Sequence, residues 1–118
     1  MIYTTNKIFT SRKDKMEYVY DKYKVLFDKK KILDIGADKG LLANCLPETS
    51  QYYSIGFGED ILLKYNLENI PYPFEDKEYH TVLCLDVLEH LENIHAAFDE
   101  CMRLASEPVI LSLHNPLP

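Results

Sequence analysis

Apolar residues recur along this chain in two rhythms. Between residues 11 and 30, Met16, Val19, Tyr20, Tyr23, Leu26 and Phe27 stand three or four apart among charges. That is the spacing of a helix face, and Thr10 or Ser11 can cap its start. Residues 31–35 form a continuous apolar run, as a central parallel strand should. Residues 41–46 predict a short helix stopped by Pro47, and residues 52–57 and 61–65 predict two more strands. A long loop over 66–78 carries Pro71 and Pro73, and a fourth strand follows at 81–86. Residues 93–105 are the clearest helix, with Ile94, Ala97, Phe98, Cys101, Met102 and Ala105 on one face; 108–113 is a fifth strand. Strands alternating with helices predict an α/β fold. One junction breaks the rule. Only Gly58, Glu59 and Asp60 separate the second strand from the third, too few residues for a crossover helix. Either the third strand pairs irregularly at the edge or the crossover is reduced to a loop.

Composition narrows the class. The 118 residues bound one domain, read as an N-terminal helical segment over 1–30 and a core over 31–118. An apolar share of 47% against 27% charged is enough to build that core. Thirteen basic against nineteen acidic residues leave a net charge of −6, with no Lys/Arg stripe beyond the N-terminal segment. That disfavours a nucleic-acid backbone and favours a small molecule or a protein as partner. Cys45, Cys84 and Cys101 are odd in number and lack a CxxC spacing, so they read as reduced thiols of a cytoplasmic protein. The N-terminus has no apolar signal core and no run spans a bilayer, so no membrane role is expected.

The chemistry concentrates at two strand ends. Residues 31–40, KILDIGADKG, run from a strand through a glycine-spaced turn into a helix. Such a turn presents backbone N–H groups to a nucleotide-like ligand. Residues 81–91, TVLCLDVLEHL, end a second strand on Asp86 and follow it with Glu89 and His90. Two acid-bearing strand ends point to a crevice at the carboxyl edge of a parallel sheet. Histidine is the residue type whose ordinary pKa lies near neutrality, which makes His90 the natural acid–base candidate; the strong rival reading is that Glu89 and His90 only cap or brace the loop before the next helix. His90, His95 and His114 with Glu89 match no ligand spacing, and no metal is expected.

Taken in order, DIGADKG, IGFGED and IPYPFEDKEYHTVLCLDVLEHLENIHAAFDECMRLASEPVILSLHN resemble a class I S-adenosylmethionine-dependent methyltransferase. The likeness covers residues 31–115 and is nearest the branch with DVLEH after its fourth strand. It implies a Rossmann-like, mostly parallel sheet of order 3-2-1-4-5 lacking the family's last two strands. The core then looks C-terminally truncated, either a fragment or a naturally minimal form. The open edge of its fifth strand would suit pairing with another chain, a homodimer included.

The resemblance further implies S-adenosylmethionine as cofactor and a small-molecule or sugar-like acceptor. Asp34 would help place the methionine ammonium, and the backbone of Gly36, Ala37 and Gly40 would approach the methionine part and ribose. Glu59 would hold the ribose hydroxyls, with a solvated loop acid as its rival reading. Asn66 and Leu67 would meet the adenine, Asn66 having simple turn chemistry as the alternative. Asp86 would line the floor and His90 would handle the acceptor's proton. The chain departs from the family at Asp38, where a glycine is usual, and at Gly58, where the ribose acid is usual. Those departures also fit an alternative: a catalytically degenerate module serving as an interaction or regulatory domain. A dinucleotide binder fits less well, because the glycine spacing is not GxGxxG.

Overall fold

A computed structural model describes residues 2–4, 11–36, 41–58 and 61–112. The elements run β1 (Ile2–Thr4), α1 (Arg12–Phe27), β2 (Lys31–Ile35), a 3-10 turn (Leu41–Cys45), β3 (Gln51–Gly56) and β4 (Leu63–Lys64). Then come β5 (Thr81–Leu85), a second 3-10 turn (Leu88–His90), α2 (Ile94–Leu104) and β6 (Val109–Ser112). They build one sheet of order β1-β6-β5-β2-β3-β4, and every strand pairing among the described residues is parallel. Counted without β1, the strands take the expected order 3-2-1-4-5.

Alternation along the strands divides the core in two. Leu33 and Ile35 of β2, Ile55 of β3, Val82 and Cys84 of β5 and Val109 of β6 face α2 through Ala97, Cys101 and Leu104. Ile32, Leu83, Leu85 and Ile110 face α1 through Met16, Val19, Tyr23 and Phe27, with Leu42 of the first 3-10 turn. Both faces are covered, which is why the central strands read as unbroken apolar runs. Helix α1 starts on Ser11, whose side chain accepts from the Asp14 amide at 3.1 Å.

Three elements differ from the sequence expectation. The third strand shrinks to Leu63–Lys64, which pairs with β3 through Ile55↔Leu63 and Gly56↔Lys64. Helix α2 is rotated: it buries Ala97, Glu100, Cys101 and Leu104, while Ile94 and Met102 are exposed. The cause is the 66–78 loop, which wraps this side of the helix and supplies polar partners. Glu100 accepts from the Tyr72 amide at 2.6 Å, and Arg103 donates to Tyr72 O, Phe74 O, Asp76 and Glu100.

The third difference is at the sheet edge. The N-terminal β1 pairs with β6 in register Ile2↔Val109, Tyr3↔Ile110 and Thr4↔Leu111. The edge of the fifth predicted strand is therefore occupied by this chain's own backbone. A homodimer through that edge loses the open ladder on which the expectation rested. No helix among the described residues is long and apolar enough to cross a membrane.

Glu100 makes part of this packing acid-sensitive. The Arg103 side chain and the Tyr72 amide hold its carboxyl below the ordinary 4.5 despite burial. A carboxyl depressed in the folded state contributes stability that is complete above its unfolded value and is lost as pH falls through the folded one. Glu100→Gln is expected to lower urea stability by about 1–3 kcal/mol at pH 7. The gap from the parent should shrink between about pH 5 and about pH 3. A gap that stays constant over that range would show that the charge on Glu100 is not what holds the loop.

Candidate functional site

The strands end at one level, and their ends are tied to their neighbours. The Gly36 amide donates to Ile55 O at 2.7 Å, Tyr65 to Gly56 O at 2.9 Å and Asp86 to Ser112 O at 2.9 Å. Two glycines permit that closeness. Gly36 has φ +72°, and a Cβ there would fall 2.3 Å from Val87 Cγ2; a Cβ on Gly56, at φ +145°, would meet Gly36 Cα at 3.2 Å. The ends of β2, β3 and β5 can touch only because neither residue carries a side chain.

Above this junction opens a cleft of about 450 Å³, within the range of small-molecule sites. Its walls come from four strand ends and their loops: Gly36 after β2, Phe57 and Gly58 after β3, Asn66, Leu67 and Glu68 after β4, and Asp86, Val87, His90 and Leu91 after β5. Phe57 is 73% exposed at the rim. The Phe57–Gly58 turn is pinned by the Lys64 side chain, which donates to Gly58 O.

Of the residues expected at a site, the structure brings Gly36, Asn66, Leu67, Asp86 and His90 to this one cleft. Asn66 Oδ1 accepts from the Glu68 amide at 3.0 Å, so its turn chemistry is realised and its carboxamide is oriented by it. His90 is exposed and closes the 3-10 turn through its amide to Val87 O, whereas Glu89 Oε1 is buried away from the lining. Asp34 is not in the lining. It is 3% exposed on the α1 face of β2, and its Oδ2 accepts from the Tyr52 hydroxyl at 2.6 Å. Burial and then the Asp34 charge push the Tyr52 phenol far up, so it remains a donor. Ala37, Asp38, Gly40 and Glu59 lie outside the described residues, as does His114. Tyr72 and Phe74 pack in and against the core rather than at the cleft.

The sequence reading passed over two residues. Tyr52 braces Asp34 from the neighbouring strand, two positions out of register with it. Lys15 of α1 is buried, and its ammonium donates to Asp86 Oδ2 and, at 2.6 Å, to Ser112 Oγ. The Ser112 hydroxyl donates in turn to Asp86 Oδ1 at 3.0 Å. Asp86 sits at φ +59°, a left-handed conformation that Asp tolerates better than most residues. Asp86 lines the cleft, and its carboxylate is joined to α1 through Lys15. Lys15 carries no sequence signal, since it looks like any other lysine on a charged helix; Tyr52 could be suspected only once the strand register was known.

The lining suits one kind of ligand. Leu67, Val87, Leu91 and Phe57 offer apolar surface to a flat ring, while Asn66, Glu68 and Asp86 offer acceptors for hydroxyl and amino groups. Among the described lining residues there is no Lys or Arg. This apolar surface with acceptors beside it fits the nucleoside part of S-adenosylmethionine. Among the described residues no group of three or more His, Cys, Asp or Glu gathers to hold a metal ion.

Comparison with known proteins agrees with this geometry. A family model described as a methyltransferase domain matches residues 33–111. No curated protein matches the chain. Among solved structures, a SAM-dependent methyltransferase from Aquifex aeolicus is 19% identical, with TM-score 0.59 over 76% of this chain and 57% of that one. A protein described as a methyltransferase from Bacillus halodurans is 20% identical, with TM-score 0.66 over 91% of this chain and 52% of that one. The [4+2]-cyclase SpnF is 17% identical, with TM-score 0.65 over 92% of this chain and 48% of that one. The chain thus spans about half the length of these proteins. At such identities the likeness is one of fold.

Substitution at the junction tests its close packing. Gly36→Ala is expected to cost about 2–4 kcal/mol, combining a left-handed alanine with a clash on Val87. Adding Val87→Ala should recover only the clash, leaving a residual cost of about 1–2 kcal/mol from the backbone. Chemical denaturation of Gly36→Ala, Val87→Ala and the double variant, the last read against Val87→Ala, measures both parts; a double variant as stable as Val87→Ala would mean the φ requirement is not real.

Proposed function

The chain belongs to the methyltransferase-domain family, and from that membership we propose that its cleft binds S-adenosylmethionine for methyl transfer to a small-molecule or sugar-like acceptor. The observation that carries the reading is the convergence of Gly36, Asn66, Leu67, Asp86 and His90 on one cleft at the carboxyl ends of parallel strands. When bound, the cofactor supplies an electrophilic methyl group on a cationic sulfur.

Each residue then has a task. The backbone of Gly36, continuing through Ala37 and Gly40, approaches the methionine part, because nothing larger than hydrogen projects from Gly36. Asp34 supports that turn from behind, braced by Tyr52, and contributes its charge to the ammonium. Glu59 holds the ribose hydroxyls, replacing the acid absent at Gly58. Asn66 and Leu67 receive the adenine, one by hydrogen bonds and the other by apolar contact. Asp86 lines the floor. His90, exposed at the rim, takes the proton released by the acceptor; a neutral imidazole is suited to that near pH 7. Much of the rate gain in such a displacement comes from holding the two reactants in line. The DVLEH stretch supports placement in the branch that carries it, and the free cysteines Cys45, Cys84 and Cys101 support a reducing, cytoplasmic setting.

Calorimetric titration of the chain with S-adenosylmethionine and with S-adenosylhomocysteine tests the reading. One-to-one binding in the micromolar range is expected, about three- to tenfold weaker in Asn66→Ala through loss of one or two hydrogen bonds. A folded chain that binds neither ligand up to millimolar concentration would sink the cofactor reading and leave the degenerate interaction module in its place.

A further inference from the structure

We propose that Lys15 sets the charge of the cleft floor: its buried ammonium balances the Asp86 carboxylate, so that the site holds the cationic donor without clinging to it in preference to the neutral product. This rests on the cofactor reading above and names a residue outside the cleft that tunes it.

Helix α1 carries four lysines, Lys13, Lys15, Lys22 and Lys24. Lys13, Lys22 and Lys24 are exposed, as lysines on a solvated helix normally are, but Lys15 is only 7% exposed. Taking an ammonium out of water costs several kcal/mol unless a partner compensates it. The first turn of a helix is also the wrong place for a cation, since the peptide dipoles there favour acids. Both costs are borne at one position, and what offsets them is Asp86 together with the Ser112 hydroxyl. Asp86 is a cleft residue, held by its backbone to Ser112 and by its neighbour Val87 to Gly36. Its carboxylate therefore reports to the ligand whatever charge Lys15 leaves on it.

The donor and its demethylated product share their nucleoside and amino-acid parts and differ by one positive charge at sulfur. A floor carrying an unbalanced carboxylate would favour the donor over the product; a floor carrying an unbalanced ammonium would do the reverse. A purely structural lysine would change the two affinities together. The quantity to read is consequently their ratio, which needs no acceptor and no turnover.

The test is calorimetry of the whole chain, as parent, Lys15→Met, Asp86→Asn and the double variant, with S-adenosylmethionine and S-adenosylhomocysteine. A unit charge left unbalanced on the floor of a half-wet cleft changes the affinity of a charged ligand by about three- to tenfold. Lys15→Met should raise the donor-to-product affinity ratio by that factor, Asp86→Asn should lower it, and the double variant should return close to the parent. If Lys15→Met does not fold, Asp86→Asn and the double variant still decide, because the first must lower the ratio and the second must restore it. Equal weakening of both ligands in the single variants, with the ratio unmoved, would overturn the proposal while leaving the cofactor reading intact. A parent chain that binds neither ligand would overturn both.

Discussion

Everything at the working edge of this sheet depends on how closely three strand ends approach. Gly56 stacks its backbone on Gly36, and Gly36 lies under the Val87 side chain. With any Cβ in between, β2, β3 and β5 would separate at their carboxyl ends, and the floor of the cleft would lose its shape. The left-handed Asp86 is downstream of that contact. So is the Lys15 ion pair, which can form only where the β5 and β6 ends sit side by side. A sheet covered on both faces has nowhere else to open; the ligand space is what remains when the strands stop and the loops diverge.

How much of this was legible follows from what each residue's role depends on. The runs at Ile32–Ile35 and Val82–Leu85 announced buried strands because both faces are covered and no polar residue beyond Asp34 interrupts them. Helix α1 was legible by its period. Its outward lysines were legible too, but not the inward one, because Lys15 is explained by a carboxylate far along the chain. Strand β1 was missed for a similar reason: three residues are too short to show a period, and what makes them a strand is the β6 backbone beside them. The face of α2 was read from apolar spacing alone, and the polar grip of Glu100 and Arg103 on the proline loop rotated it.

The site shows the same division. Gly36, Asp86 and His90 were readable because strand ends and glycine turns have local signatures, and Asn66 and Leu67 because their place after a strand could be counted. Asp34 was assigned by its position in a motif; its burial against Tyr52 depends on the β2–β3 register, which sequence spacing does not contain. Fold membership alone would not have decided the chemistry, since a [4+2]-cyclase shares the architecture.

The distribution of engaged groups bears on the proposed role of His90. Asp86 accepts from Lys15 on one oxygen and from Ser112 on the other, and Glu68 accepts the Glu92 amide with both of its oxygens. Each of those carboxylates already accepts structural hydrogen bonds, which fix it in place as an acceptor. His90 differs from both: its own backbone amide closes the 3-10 turn, which fixes where the ring is anchored while leaving the ring itself at the exposed rim. A group that must meet a varied acceptor, take its proton and lose it again to water belongs at such a rim rather than on the floor. Under the proposed function the floor is the place for the donor and the rim the place for the acceptor, and the backbone junction at Gly36 sets the distance between them.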